Sequence, residues 1–170
     1  TILRKLTKVK RIGFAGTLDP LATGLMIFAI GEATKMLTFL EKMDKVYRVT
    51  IRLGAISDTY DAKGKIISQF DKNDNLLFPK ITRSRVEQIL EEEFLGERSQ
   101  MPPIFSAIQI NGKRAYDLAR KGKEVKLKER SVQFFDLKVK AFAWPLLELE
   151  VHCGSGTYVR SLAHDLGKRL

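Results

Sequence analysis

Cysteine is nearly absent from this chain of 170 residues: Cys153 stands alone and is accompanied by only two histidines, His152 and His164. A lone thiol excludes an intrachain disulfide, and one Cys with two His gives no zinc set. The expectation is a reducing, cytoplasmic setting and chemistry that needs no metal. His152-Cys153 could pair a thiol with an imidazole. However, Leu147, Leu149, Val151 and Cys153 alternate as one face of a strand, which assigns the thiol to core packing. Long apolar runs are missing too. Nothing approaches the roughly 18 residues of a membrane span, and the start is unlike a signal peptide, so a soluble protein with no membrane partner is expected.

Negative charge is the other shortage. Twenty Asp and Glu stand against thirty Lys and Arg, a formal net charge of +10, which points to an anionic partner. Residues 113–130 hold eight basic and three acidic residues, and Arg4, Lys5, Lys8, Lys10 and Arg11 crowd the start. Glu87, Glu91, Glu92, Glu93 and Glu97 concentrate acidity elsewhere, so one face is reserved for phosphate. Charge alone does not separate RNA from DNA, from an acidic membrane, or from a merely solvated basic surface. Apolar residues at 44% and charged ones at 29% suit one globular domain.

The periodicities predict the elements. Residues 46–53 alternate, with Tyr47, Val49, Ile51 and Leu53 facing one way, as in a half-buried strand. Val86, Ile89, Leu90 and Phe94 recur at helical spacing behind Thr82, a natural N-cap, and Gly96 is placed to end that helix. Residues 104–110 are apolar enough for a strand leading into an Asn111-Gly112 turn. A short helix over 115–121 stops at Gly122. Strands follow over 132–142 and 146–153 around Trp144-Pro145, then a helix over 158–170. Residues 71–75 read as an exposed loop. Without a regular βαβ repeat, the fold class is α+β: a mixed, largely antiparallel sheet flanked by helices.

The most informative stretch is Gly13-Phe14-Ala15-Gly16-Thr17-Leu18-Asp19-Pro20-Leu21-Ala22-Thr23-Gly24. It holds an Asp in a loop punctuated by Gly and Pro, beside the apolar run Leu25-Met26-Ile27-Phe28-Ala29-Ile30. Such a carboxylate can sit at the lip of a core with few water contacts and act as a nucleophile. The bland alternative is an Asp-Pro turn. The string Gly16-Thr17-Leu18-Asp19-Pro20-Leu21-Ala22-Thr23-Gly24, followed by Ile30-Gly31-Glu32-Ala33-Thr34-Lys35, closely resembles the catalytic motif of the TruB family of tRNA pseudouridine synthases. Later blocks resemble the same family in the same order. They are Lys45-Val46-Tyr47-Arg48-Val49 with Leu53-Gly54; Pro102-Pro103-Ile104-Phe105-Ser106-Ala107; Asn111-Gly112-Lys113-Arg114-Ala115-Tyr116 with Ala119-Arg120-Lys121-Gly122; and Gly156-Thr157-Tyr158-Val159-Arg160 with Asp165-Leu166-Gly167.

The resemblance implies a cofactor-free isomerase that converts the T-loop uridine at tRNA position 55 to pseudouridine, with the tRNA T-arm stem-loop as partner and no protein partner. It implies Asp19 as nucleophile, Tyr47 as the ring that stacks on the turned-out uracil with a hydroxyl for proton transfer, and Arg160 as the guanidinium that orients Asp19. Tyr158 corresponds to a second pocket tyrosine. Lys113, Arg114 and Arg120 belong to the basic stretch expected on RNA. The family commonly has His where this chain has Phe14, so any contact by that His is replaced by an aromatic ring that could line the pocket. Each residue also has a plainer role: a strand-end core tyrosine, a helix-surface arginine, a ring packed under the sheet. A non-catalytic RNA-binding or RNA-folding module and an RNA-guided synthase of ribosomal RNA are the competing readings. The family pattern further implies that 1–170 is one catalytic domain cut at both ends, without a C-terminal RNA-binding domain.

Overall fold

Alternating and helical apolar patterns resolve, in a computed structural model describing residues 2–68, 81–110, 112–122 and 124–170, into two compact units, Thr1–Asp44 and Lys45–Leu170. The first holds α1 (Ile2–Thr7), β1 (Ile12–Ala15), β2 (Ile27–Ile30), and a 3₁₀ segment Gly31–Met36 that runs into α2 (Leu37–Leu40). β1 and β2 pair antiparallel with Phe14 opposite Phe28. Gly13 gives the Leu37 side chain of α2 room: a Cβ there would stand 2.5 Å from Leu37 Cδ1, which would have to turn aside.

The apolar run at 25–30 does not supply the expected core. Only Ala29 is buried, Leu25 is 89% exposed, and Ile27, Phe28 and Ile30 are exposed as well. A two-stranded ribbon backed by one short helical segment has too little partner surface to cover both of its faces.

The second unit contains β3 (Lys45–Arg52), β4 (Ala55–Ser57), β5 (Ile66–Ser68), α3 (Arg83–Ile89), β6 (Gly96–Gln100), β7 (Gln109–Ile110), β8 (Lys113–Arg114), α4 (Ala115–Arg120), β9 (Arg130–Ala143), β10 (Leu146–Cys153) and α5 (Val159–Arg169). Four strands form an antiparallel sheet in the order β3-β10-β9-β6. The period of two in β10 decides what this sheet buries. Leu147, Leu149, Val151 and Cys153 are fully buried beneath Val86, Ile89 and Leu90 of the α3 segment and Leu162 and Leu166 of α5. Each such side chain contributes on the order of 1.5–3 kcal/mol. The alternate residues Glu148 and Glu150 pair with Arg48 and Lys140 on the other face.

Thr82 caps α3 as expected, its hydroxyl accepting from the Arg85 N–H at 3.2 Å. The helix then widens into a π turn over Leu90–Phe94, and Arg98 donates to the carbonyls of Glu92 and Glu93 at its end. Gly96 has φ +91, a left-handed conformation that suits glycine, and opens β6. The strand expected over 104–110 shrinks to Gln109–Ile110. Residues 104–108 lend their carbonyls elsewhere instead: Ser106 and Ile108 accept from the N–H groups of Tyr116 and Ala115 at 3.1 and 2.8 Å. Gly112 and Gly122, with φ +76 and +65, bracket β8 and α4. The helix expected over 158–170 begins at Val159, with Tyr158 extended at its N-cap. The loop expected at 71–75 and the Asn111 half of the turn lie outside the described residues.

Candidate active site

The first turn of α5 is anchored on three sides. The amide of Gln100, a buried side chain at the end of β6, accepts from the Tyr158 N–H at 2.9 Å and donates to the Tyr158 carbonyl at 3.1 Å. In effect it extends the sheet by one backbone pair. Ser161 Oγ donates to the Met101 carbonyl at 2.7 Å. Between them Arg160, only 13% exposed in its side chain, donates to the carbonyls of Thr59 at 3.0 Å and Phe105 at 3.1 Å and lies 3.8 Å from Asp61 Oδ2. A planar guanidinium can serve several acceptors at fixed angles, whereas a lysine ammonium would not span them. Arg160 is therefore a preorganised, largely buried cation, not a helix-surface arginine.

The acceptors on the β4 side come from a tightly wired loop. Asp61 Oδ1 accepts from Thr59 Oγ1 at 2.7 Å and from the Lys63 N–H at 2.9 Å. Asp58 Oδ1 accepts from the Lys65 N–H at 2.9 Å. Gly64 sits inside this wiring: a Cβ there would stand 2.2 Å from Asp58 Oδ1 and 2.3 Å from Thr59 Oγ1. Tyr60 takes a left-handed φ of +61 and stacks on His164 of α5, with ring centroids 3.8 Å apart and planes 11° from parallel. Burial raises the Tyr60 hydroxyl pKa, helped by the charge of Asp165. Burial also lowers that of His164, with Lys168 adding and Asp165 opposing. The Asp165 carboxyl is raised, again chiefly by burial.

Tyr47 lies half-buried at the start of β3, opposite Val151 and packed against the core cluster, on the face its alternation predicts. The basic stretch has a local design. The guanidinium carbons of Arg114 and Arg120 stand 5.9 and 5.6 Å from the ring centroid of Tyr116, both within cation–π reach. Together with exposed Lys113 they form one positive cluster on β8 and α4.

In the first unit Asp19 is partly buried at the head of a turn, its carbonyl accepting from the Ala22 N–H at 2.9 Å around Pro20-Leu21. Phe14 is about half exposed, and its ring meets that of Phe28 at 5.9 Å, tilted by 56°. Among the described residues no group of three or more His, Cys, Asp or Glu is arranged to hold a metal ion, and no helix is long and apolar enough to cross a membrane.

The sequence reading missed Thr59, Asp61 and Phe105, the partners of Arg160, together with Gln100. A signal was present for the first two. Ser57-Asp58-Thr59-Tyr60-Asp61-Ala62-Lys63-Gly64 packs two carboxylates and three hydroxyls into one turn-rich segment at the end of a strand. Phe105 contributes only a backbone carbonyl, which leaves no mark on residue identity.

Comparison with known proteins gives this geometry a context. Residues 4–159 match the model of the TruB family pseudouridylate synthase N-terminal domain. The chain is 40% identical over 169 residues to a tRNA pseudouridine synthase B of Clostridium tetani, covering 99% of this chain and 56% of that protein. It is 44% identical over 171 residues to the namesake of Microcystis aeruginosa, again covering 99% of this chain and 56% of the relative. With that of Opitutus terrae it is 42% identical over 168 residues, 99% of this chain and 67% of the relative. The chain thus spans little more than half the length of the first two. Among solved structures, a chain of a Cbf5-Nop10-Gar1 complex matches with a TM-score of 0.68 at 23% identity, covering 99% of this chain and 39% of that one. A chain of an H/ACA RNP bound to a substrate RNA containing 2′-deoxyuridine matches with a TM-score of 0.64 at 20% identity, over 99% of this chain and 37% of that one. These two likenesses establish the α+β fold. A family model covering residues 4–159, joined by such relatives across the length of the chain, makes this chain a member of the TruB family of pseudouridylate synthases.

Proposed function

We propose that the protein isomerises uridine to pseudouridine in tRNA, at the T-loop position 55, with Asp19 as nucleophile. The observation that carries this reading is the match, along 99% of the chain, to proteins named tRNA pseudouridine synthase B. The reaction breaks the N1–C1′ bond, turns the uracil and forms a C5–C1′ bond. C5 loses its hydrogen as a proton and N1 gains one, so no redox partner is needed. Because a folded RNA hides its bases, the uridine must be turned out of the stack first.

The roles follow the chemistry. Asp19 supplies the carboxylate that attacks. Tyr47 supplies a ring for the turned-out uracil, a contribution of about 1–3 kcal/mol, and its hydroxyl a route for a proton. Arg160 keeps the nucleophile ionised and oriented. Its tie to two carbonyls and Asp61 supports this, since a guanidinium already fixed needs no reorganisation when charge moves beside it. Tyr158, its backbone held by Gln100, serves as a second pocket tyrosine, and Phe14 as a contact to the substrate. Lys113, Arg114 and Arg120 hold the phosphates of the T-arm. Identities of 40–44% to proteins named tRNA pseudouridine synthase B, against 18–20% to the chains of H/ACA particles, favour a stand-alone enzyme over an RNA-guided one.

The test is incubation of the full-length protein with unmodified tRNA tritiated at uracil C5. Stoichiometric release of one tritium from the T-loop, abolished when the uridine at position 55 is replaced by cytidine, is the expected result. Binding without release would favour the RNA-binding module. Release from another position would overturn the T-loop assignment.

A further inference from the structure

The 59–61 segment grips α5 at two points one helical turn apart. Thr59 and Asp61 meet Arg160 through the Thr59 carbonyl at 3.0 Å and Asp61 Oδ2 at 3.8 Å. Tyr60, between them, stacks on His164 at 3.8 Å. Arg160 and His164 are four residues apart on α5 and so share a face. The three consecutive residues therefore alternate between the two side chains: backbone and carboxylate to Arg160, ring to His164.

Tyr60 holds this arrangement in an unfavourable backbone state. Its φ of +61 is left-handed, a region that a bulky aromatic residue occupies only when its surroundings hold it there. The backbone bond from the Tyr60 N–H to the Ser57 carbonyl, at 3.2 Å, is a modest restraint. The ring stack is the contact that ties this residue to α5. Tyr60 is not among the hydrophobic residues of the core cluster.

We infer that Tyr60 and His164 are positioning residues: their stack clamps the 59–61 segment so that Thr59 and Asp61 hold Arg160 in one orientation. The inference rests on the proposed role of Arg160 and deepens it. Without the ring, the segment keeps its own wiring, including the 2.7 Å bond from Thr59 Oγ1 to Asp61 Oδ1 across position 60, but loses its stack on α5, and any shift of the segment against the helix moves both acceptors together. A displacement of about 1 Å in a group that must meet a reacting carboxylate can lower turnover by up to about a hundredfold. RNA affinity, set by phosphate contacts elsewhere, is untouched.

The experiment uses the full-length protein with His164→Ala and Tyr60→Gly, glycine being chosen because it tolerates the backbone angle and removes only the ring. His164→Phe and Tyr60→Phe are the rescue variants. Two readouts are taken: kcat and KM for tritium release, and the rate of rotation of the Arg160 guanidinium by ¹⁵N NMR. The stack-deleting variants are expected to lose roughly ten- to a hundredfold in kcat with KM within about twofold, and to free the guanidinium rotation. The phenylalanine variants restore both. Folded stack-deleting variants with wild-type kcat and a still hindered Arg160 would overturn the inference, as would phenylalanine variants that restore neither. If the wild-type protein releases no tritium, the proposed function fails, while the guanidinium rotation still decides the clamp by itself.

Discussion

Replacing Arg160 by methionine keeps most of its volume and removes every donor, which makes the expected loss calculable from its partners. The Thr59 and Phe105 carbonyls each lose a charge-assisted bond, a kind worth about 1.5–3 kcal/mol. Asp61, 10% exposed in its side chain, loses its buried countercharge, and breaking such a pair costs about 3–5 kcal/mol. These terms overlap, because the same guanidinium supplies all of them. Asp61 Oδ1 also keeps its bonds from Thr59 and Lys63, which puts the expected destabilisation at the lower end, about 3 kcal/mol. Arg160→Lys retains the charge and one carbonyl contact, and should cost about 1.5–3 kcal/mol. Adding Asp61→Asn to Arg160→Met should cost less than the sum of the single changes, because the neutral amide no longer needs a countercharge. Urea titrations read by Trp144, the single tryptophan and a residue of the second unit, measure all three. An Arg160→Met variant within about 0.5 kcal/mol of wild type would behave like a surface substitution and refute the preorganised-cation account.

Three further outcomes are expected. Charge reversal at Lys113, Arg114 and Arg120 should weaken binding to T-arm RNA and flatten its dependence on salt, as fewer counterions are released; filter binding across a salt series checks this, and unchanged affinity would make the cluster a solvated surface. Tyr47→Leu should depress turnover far more than RNA affinity while Tyr47→Phe keeps the stacking and loses the hydroxyl, and equal, near-normal rates in both would return Tyr47 to a packing role. Burial lowers the His164 pKa below its ordinary 6.5, with Lys168 adding and Asp165 opposing beside the stacked Tyr60. The unfolded chain therefore takes up that proton first, and this part of the stability is present above about pH 6.5 and lost as pH falls through the lowered value. His164→Phe should flatten the stability profile between about pH 7 and 5, and identical slopes would contradict the assignment.

Much of the fold could be read from the residues because periodicity and burial coincide where a sheet has one covered face. Leu147 to Cys153 and the Val86, Ile89, Leu90 stripe show this, and both lie in the core. The motif singles out Arg160 and Tyr158 but carries no sign of how they are anchored. Where the reading failed, partners outside the local sequence decided. Residues 104–108 are apolar yet give their backbone carbonyls to Arg160 and α4 in place of a ladder. Within the apolar run at 25–30, Ile27–Ile30 forms a strand that its own unit leaves mostly uncovered. Asp61 acquires its meaning from a guanidinium 99 positions later along the chain (160 − 61), a pairing no local pattern encodes.

The central claim is that Asp19 performs the chemistry, and Asp19→Asn tests it most directly. Asparagine keeps the size of the side chain and removes the charged oxygen that attacks. The full-length variant should fold, bind T-arm RNA with near-normal affinity, and release no C5 tritium over a long incubation in which the wild type goes to completion. Substantial release from the variant, with reversion to Asp by deamidation excluded by mass spectrometry, would contradict the account.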